Sequence, residues 1–468
     1  MKSSYSHRYP CTWLAQLALG LLAALAGCER TNSTTENIQG LRFSTDTVRF
    51  DSVFAGAVSS TRLLRIYNKG RNTVRIPELR LLHGAASQFA MLVDGQSTTA
   101  AHGVEIEQGD SLTLAIRLKP SGITVDTIRV VSDSIAIANQ RISRYVALLG
   151  KGLASAPLSV DTLRTDLTIA GPPALRVQRR MVVPKGVTLT LRAGASLYFS
   201  QGAGIDVYGS LAIEGTPLSP VVLAGERLET YYRRQPGQWQ GINLKPRSGP
   251  HTLSYFQLRS AVTALRADSL TSPLSVRGAT IAFTSRDGIV ANKTLLALYG
   301  CLLLQNYGCA LRMRAANVRL VHCTLYASSL PPQTRRDPLI ALIAIEPVKG
   351  NSTPCSLLVA NSILWGDRAN ELPIPEELTP KPAITCTHSI MRIPQSTLSA
   401  HPTWLHVLLD NPKLTAPEKG DAKLEKDSPA RGQGLMEYGN EDPIDLQNQP
   451  RLQHGNPDIG ALVFTPKP

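Results

Sequence analysis

The sequence predicts an all-β protein, a β-sandwich followed by a right-handed parallel β-helix, and three observations carry that reading. First, the stretch from Leu253 to Met391 repeats itself at a period in the low twenties. Second, the residues before it form short alternating runs separated by turn residues, with no helical stretch between them. Third, only 5% of the 468 residues are aromatic while glycine (35) and proline (32) are frequent, a balance that suits a turn-rich β protein. At this length more than one folded unit is expected.

The repeat becomes visible when Leu253-Ser-Tyr-Phe-Gln-Leu, Val276-Arg-Gly-Ala-Thr-Ile, Leu298-Tyr-Gly-Cys-Leu-Leu, Leu320-Val-His-Cys-Thr-Leu, Val359-Ala-Asn-Ser-Ile-Leu and Cys386-Thr-His-Ser-Ile-Met are superposed. One column reads Leu253, Val276, Leu298, Leu320, Val359, Cys386, and another reads Phe256, Ala279, Cys301, Cys323, Ser362, Ser389. Successive spacings are 23, 22, 22, 39 and 27, so three steps share one period and two carry extra residues. Short apolar runs at such a period are the signature of stacked strands. About seven to nine rungs are expected, with the second column stacked inward and a surface loop in the long step between Leu330 and Pro354.

The chain starts with a segment of another kind. Lys2, His7 and Arg8 make a basic start, and Trp13 to Ala26 is a run of fourteen residues with only Gln16 polar. That is short for a membrane span of ~20 residues and suits a secretory signal. It ends in Leu25-Ala26-Gly27-Cys28, which resembles the lipobox of bacterial lipoproteins. The resemblance implies a signal peptide over residues 1–27, a lipidated Cys28 and a membrane as partner through that lipid. The location it implies is the cell envelope, at the outer membrane. Residues 28–40 are polar and read as a flexible tether.

In residues 41–152, Leu63 to Tyr67, the turn Asn68-Lys-Gly-Arg-Asn72, Val74-Arg-Ile76, Leu112 to Leu118, Val125 to Val131 and Arg144 to Leu149 suggest seven or eight strands. The closing Val146-Ala-Leu-Leu-Gly-Lys-Gly152 and the Ile66-Tyr-Asn-Lys-Gly turn resemble immunoglobulin-like modules of the ASPM-SPD-2-Hydin type. Residues 153–180 read as a connector broken at Gly171-Pro-Pro173. The runs Val182 to Phe199 and Ile205 to Thr216, with Pro236-Gly-Gln-Trp-Gln-Gly-Ile242, resemble the entry rungs of surface lipoproteins with pectate-lyase-like β-helices. The β-helix is assigned to residues 181–415. Asp427-Ser-Pro-Ala430, Asp445 to Arg451 and Pro457 to Ala461 resemble the closing segments of such β-helices, so residues 416–468 are assigned as a C-terminal cap.

Enzymes of the pectate-lyase-like fold work through carboxylates converging on one face. Between Leu253 and Leu330 the only acids are Asp268 and Asp287, four positions out of register and unable to stack. Glu226 and Glu229, close in one loop, are the best remaining pair for a catalytic reading. His322 and His388 share a column with one rung between them, ~10 Å apart, too far for a common metal. No metal, cofactor or nucleic-acid motif is found. Cys301, Cys309, Cys323, Cys355 and Cys386 are expected as buried free thiols. Asp-(Ser/Thr)-apolar triplets at Asp46, Asp51, Asp110, Asp126, Asp133, Asp161 and Asp268 resemble an O-glycosylation sequon of some Gram-negative bacteria, and the same triplet suits the entry to a strand.

The net charge of +14, or +12 without residues 1–27, comes from scattered Arg and Lys. Such scatter, without a run of five or six, suits an ordinary solvated surface. The expectation is a non-catalytic envelope scaffold whose long, rigid β-helix face binds anionic glycan or an envelope protein, with Arg259, Arg266, Arg277, Arg286, Arg312 and Arg314 as exposed contacts. The alternative is a polysaccharide-acting lyase or hydrolase using Glu226 and Glu229.

Overall fold

The computed structural model describes residues 33–123, 128–331, 334–343, 355–376, 378, 381–453 and 455–466. Cys28 with the proposed signal, and the Asp126 triplet, lie outside these. The described residues are nearly all β, with 48% in strands and 6% in helices, and they divide into two compact units.

The first unit is an immunoglobulin-like sandwich. One sheet runs in the order Thr34–Thr35, Thr73–Leu81, Ile128–Ala138, Ser143–Leu153, Thr47–Phe54, with Ala100–Ile106 also paired to Thr73–Leu81. The other runs Leu41–Phe43, Arg62–Asn68, Ser111–Leu118, Phe89–Val93, Gln96–Thr98. Six and five strands replace the seven or eight expected, because short edge strands such as Thr34–Thr35 and Gln96–Thr98 carry too few residues for a visible alternation. Alternation in the longer strands buries Leu64, Ile66, Leu114 and Ile116 from one sheet and Ile76, Leu79, Ile135 and Ile137 from the other. The Asn68 turn is held by its own side chain, whose Nδ2 donates to the carbonyls of Asn72 and Ile106 while Oδ1 accepts from Gly70 N–H. The tether ends before residue 40: Thr34–Thr35 pairs with Thr73 and Val74, and Ile38 is fully buried. In two of the Asp-Ser/Thr triplets the hydroxyl residue opens its strand, Thr47 and Ser111, and Asp110 Oδ1 accepts from Ser111 N–H at 2.6 Å.

The second unit is a parallel β-helix. Its strands stack into a seven-stranded sheet and a 17-stranded sheet that turns a corner, so each full coil has three walls. The predicted column is realised pair by pair: Leu253 opposite Val276, Val276 opposite Leu298, Leu298 opposite Leu320, Leu320 opposite Val359, and Val359 opposite Cys386. The second column is buried throughout, from Phe256 to Ser389, and its serines bond along the stack, Ser362 Oγ accepting from Cys323 N–H and Ser389 Oγ from Ser362 N–H. Between the two columns the chain bends at residues with left-handed backbone: Tyr255, Gly278, Gly300, His322, Asn361, His388 and His406. Such a conformation costs a non-glycine residue ~1–2 kcal/mol, and here it turns each coil from one wall to the next. The corner thus runs the length of the stack.

Three boundaries differ from the expectation. The residues assigned as a connector already belong to the solenoid, since Leu167 pairs with Leu189 and Leu175 with Leu197. The long step carries a regular strand, Ile340–Ile343, opposite Leu311–Arg314, so only the residues on either side of it are additional. The closing segment is not an end cap. The last coil is closed by Trp404, whose Nε1 donates to the Ile384 carbonyl, while residues 413–466 run along the side of the solenoid as a strap. Outward-facing Ala282, Phe283, Leu302 and Leu304 pack against Ala422, Ala461 and Leu462, and Ile363 and Ile390 pack against Leu424, Ala430 and Ile459. Burying those side chains contributes ~1.5–3 kcal/mol for each large one, which is why the outer wall could be apolar there. Ion pairs flank this seam: Asp442 bridges Arg277 at 2.6 Å and Arg451 at 2.9 Å, and Glu441 holds Arg319 at 2.9 Å.

Candidate functional site

A groove of about 640 Å³ lies where the turns enter the seven-stranded wall. Its floor and rims come from three successive coils: Ser285, Arg286 and Asp287 before strand Ile289–Asn292, Tyr307 and Gly308 before Leu311–Arg314, and Thr334, Arg336 and Asp337 before Ile340–Ile343. Because Ile289, Leu311 and Ile340 are paired in register, counting back from them puts Ser285, Tyr307 and Arg336 at equivalent points of adjacent coils. Arg336 therefore stands two coils, ~10 Å, from Ser285, with Tyr307 on the coil between, and Arg286 is the residue next to Ser285.

Arg312 organises the groove's acids. Its Nε and Nη2 bond both oxygens of Asp287 at 2.8 and 2.9 Å, and Nη2 also reaches Asp337 at 3.5 Å. Asp287 is buried and accepts a third bond, from Cys309 N–H at 2.9 Å. Gly308 is required there, since a Cβ would sit 2.6 Å from Asp287 Oδ1. The Asp287 and Asp337 oxygens that share Nη2 lie no further apart than the sum of those two bonds, 6.4 Å. Burial pushes the Cys309 thiol up to about 12, so it stays protonated behind the groove.

The far rim is fixed from beneath. Arg335 is buried and pairs in bidentate fashion with the fully buried Glu371, and its Nη1 also bonds the Ala327 carbonyl and Asp367 at 3.1 Å. Glu371 Oε2 accepts from Leu339 N–H as well. This network pins Arg335 and Leu339 just ahead of strand Ile340–Ile343 and leaves Arg336 and Asp337, between them, facing the groove. Arg286 and Arg336 are exposed and have no acidic partner among the described residues.

Of the six arginines expected as exposed contacts, Arg286 and Arg314 are exposed and the other four are half-buried. Arg286 and Arg312 come together in the groove. Arg277 is tied to Asp442 under the strap; Arg259 lines a different cleft. Arg266 stands between Asn243 and Val290 on the seven-stranded wall, and Arg314 between Asn292 and Ile343. Glu226 is bound to Arg176 at 3.0 Å and Glu229, buried, to Arg227 at 2.8 Å, so neither is available as a free acid or base. Asp268 is opposite Asn292, not in line with Asp287. His322 and His388 are separated by Asn361, whose Nδ2 donates to His322 Nε2 at 3.0 Å; among the described residues no cluster of metal-ligating side chains occurs. Cys301, Cys309, Cys323, Cys355 and Cys386 are buried free thiols.

Sequence reasoning missed Arg336 and Asp337 because they sit in the irregular step. A usable signal was present: Arg286-Asp287-Gly-Ile and Arg336-Asp337-Pro-Leu repeat an Arg-Asp pair just ahead of an apolar strand.

No family model matches this chain, and no curated protein matches it. Eleven solved chains resemble it in structure. One is the ASH/PapD-like domain 7 of human CEP192, at 13% identity and a TM-score of 0.17, covering 27% of this chain and 94% of that one. Another is a family 123 glycoside hydrolase from Clostridium perfringens, at 9% identity and a TM-score of 0.19, covering 28% of this chain and 30% of that one. The fold class is that of a sandwich joined to a parallel β-helix, and it is defined by the strand pairing described above.

Proposed function

We propose that this chain is an envelope lipoprotein, anchored in the outer membrane through Cys28, whose β-helix binds anionic glycan without cleaving it. The observation that carries the reading is the division of charge in the groove. Both acids are occupied by Arg312, while Arg286 and Arg336, on either side of Tyr307, have no acidic partner among the described residues. Two guanidinium groups flanking an aromatic ring suit carboxylate or sulfate groups carried on sugar rings. A general acid would need a carboxyl free to give up a proton to the substrate; both oxygens of Asp287 are instead engaged by N–H donors of Arg312 and Cys309.

One observation favours the second reading, a polysaccharide lyase or hydrolase: the Asp287 and Asp337 oxygens approach within 6.4 Å, a spacing compatible with paired carboxylates in glycosidases. Purified protein should be passed over immobilised uronic-acid polymer and incubated with the same polymer in solution. Retention that falls at least tenfold in Arg286→Ala/Arg336→Ala, with no new reducing or unsaturated ends, supports binding. New ends that vanish in Asp337→Asn replace it with the enzyme, and a chain that neither binds nor cleaves directs attention to an envelope protein as partner.

A further inference from the structure

A second cleft, of about 350 Å³, lies between the outer wall of the β-helix and the strap. The wall side offers Gln257 and Arg259 from strand His251–Arg259 and Thr280 from Leu274–Ala282; the strap side offers Asp421, Lys423 and Gln447. Arg259 is the unusual member. Its neighbours in register are Ala282 on one coil and, one step on from the Leu223–Leu258 pair, Ala224 on the other, so neither register neighbour is an acid, and Glu226, two residues beyond Ala224, is bound to Arg176. Its Nη2 donates to Gln257 Oε1 at 2.5 Å, and no carboxylate pairs with it among the described residues. Burial and the positive charge of Arg233 both work against its protonated form.

A desolvated guanidinium without a counter-charge is costly, and every other half-buried arginine discussed above except Arg266 has a carboxylate partner: Arg176, Arg227, Arg277 and Arg312. Arg259 and Lys423 outweigh Asp421, leaving one net positive charge in a cleft whose other polar lining, Gln257, Gln447 and Thr280, is neutral. The volume falls in the range of small-molecule sites. We propose that this cleft binds an anionic monosaccharide, its carboxylate or phosphate paired with Arg259 and Lys423 and its hydroxyls with the amide and hydroxyl side chains. The assignment does not rest on the groove or on any polymer binding there.

The test is calorimetric titration of the purified full chain with glucuronate, glucose 6-phosphate, inorganic phosphate and neutral glucose, alongside Arg259→Gln and the groove variant Arg286→Ala/Arg336→Ala. Saturable binding of glucuronate or glucose 6-phosphate is expected, weakened at least tenfold in Arg259→Gln, unchanged in the groove variant and absent for glucose. The melting temperature gives an independent readout. Without ligand Arg259→Gln should melt at or above the parent, because removing an unpaired desolvated charge relieves the fold, whereas a merely structural arginine would leave the variant less stable. Binding that survives in Arg259→Gln overturns the proposal, as do an Arg259→Gln variant that melts below the parent and a parent that takes up neither sugar. Phosphate bound as tightly as the sugars overturns the monosaccharide and leaves a free-oxyanion site.

Discussion

Asn361 and Leu435 exchange two hydrogen bonds: Asn361 Nδ2 donates to the Leu435 carbonyl at 2.9 Å, and Leu435 N–H donates to Asn361 Oδ1 at 2.8 Å. A side chain on the left-handed corner thus does for the strap what a neighbouring strand's backbone would do. The Asn361 carbonyl completes the attachment by accepting from Gly460 N–H.

Asn361→Ala should loosen the strap. It removes the two side-chain bonds to Leu435 and the one to His322 and forces alanine into a left-handed conformation, at a cost of ~2–4 kcal/mol in total. Asn361→Gly keeps the backbone relaxed and isolates the hydrogen bonds. Hydrogen exchange across residues 413–466 should accelerate in both variants, more in Ala than in Gly; protection equal to the parent in both would show that the strap is held by its apolar seam alone.

Arg335 and Glu371 should behave as a buried pair. Arg335→Met alone leaves the Glu371 carboxylate unpaired in the interior, costing ~3–5 kcal/mol. The double variant Arg335→Met/Glu371→Leu should recover part of that loss. Urea denaturation of the three variants gives the coupling, and a double variant less stable than either single one would contradict it.

Acidification should weaken the β-helix through His251. Burial lowers its pKa to about 4, and its Nδ1 accepts from Leu211 N–H at 3.1 Å. The folded value lies below the unfolded one near 6.5, so the unfolded chain binds the proton first. The stabilisation is complete above pH ~6.5 and is lost as the pH falls towards 4, by about 3 kcal/mol at most. His322, held neutral by burial and by Arg451, acts in the same direction. His251→Gln should flatten the pH dependence of the denaturation midpoint between pH 6.5 and 4, and an unchanged slope would remove His251 as its cause.

Cys28→Ser should abolish membrane attachment. Fractionation should then find the chain soluble or unprocessed, whereas an unchanged membrane fraction would refute lipidation at that residue.

The β-helix was legible because its register is written in residues that repeat. Leu253, Val276, Leu298, Leu320, Val359 and Cys386 all meet the same demand, an inward apolar side chain, so their spacing reports the coil directly. The strap was legible as a segment and misplaced in space, since Asn361 and Leu435 are joined by hydrogen bonds that leave no periodic trace. The groove was half visible for a similar reason. Arg286 and Arg312 belong to regular coils, whereas Arg336 and Asp337 are brought to them by the Arg335–Glu371 pair, whose two members are 36 residues apart.

The strap touches Arg277, Phe283, Thr324, Asn361 and Ile390 in turn, and so it gauges the number of coils beneath it. Solenoids lengthen in evolution by duplicating a coil, and before strand His251–Arg259 such a duplication would displace none of these contacts. Between Gly278 and Asn361 an added coil would push every later anchor ~5 Å out of reach of its partner. The strap therefore acts as a ruler, and this part of the chain is expected to keep its coil number while the N-terminal coils are free to vary.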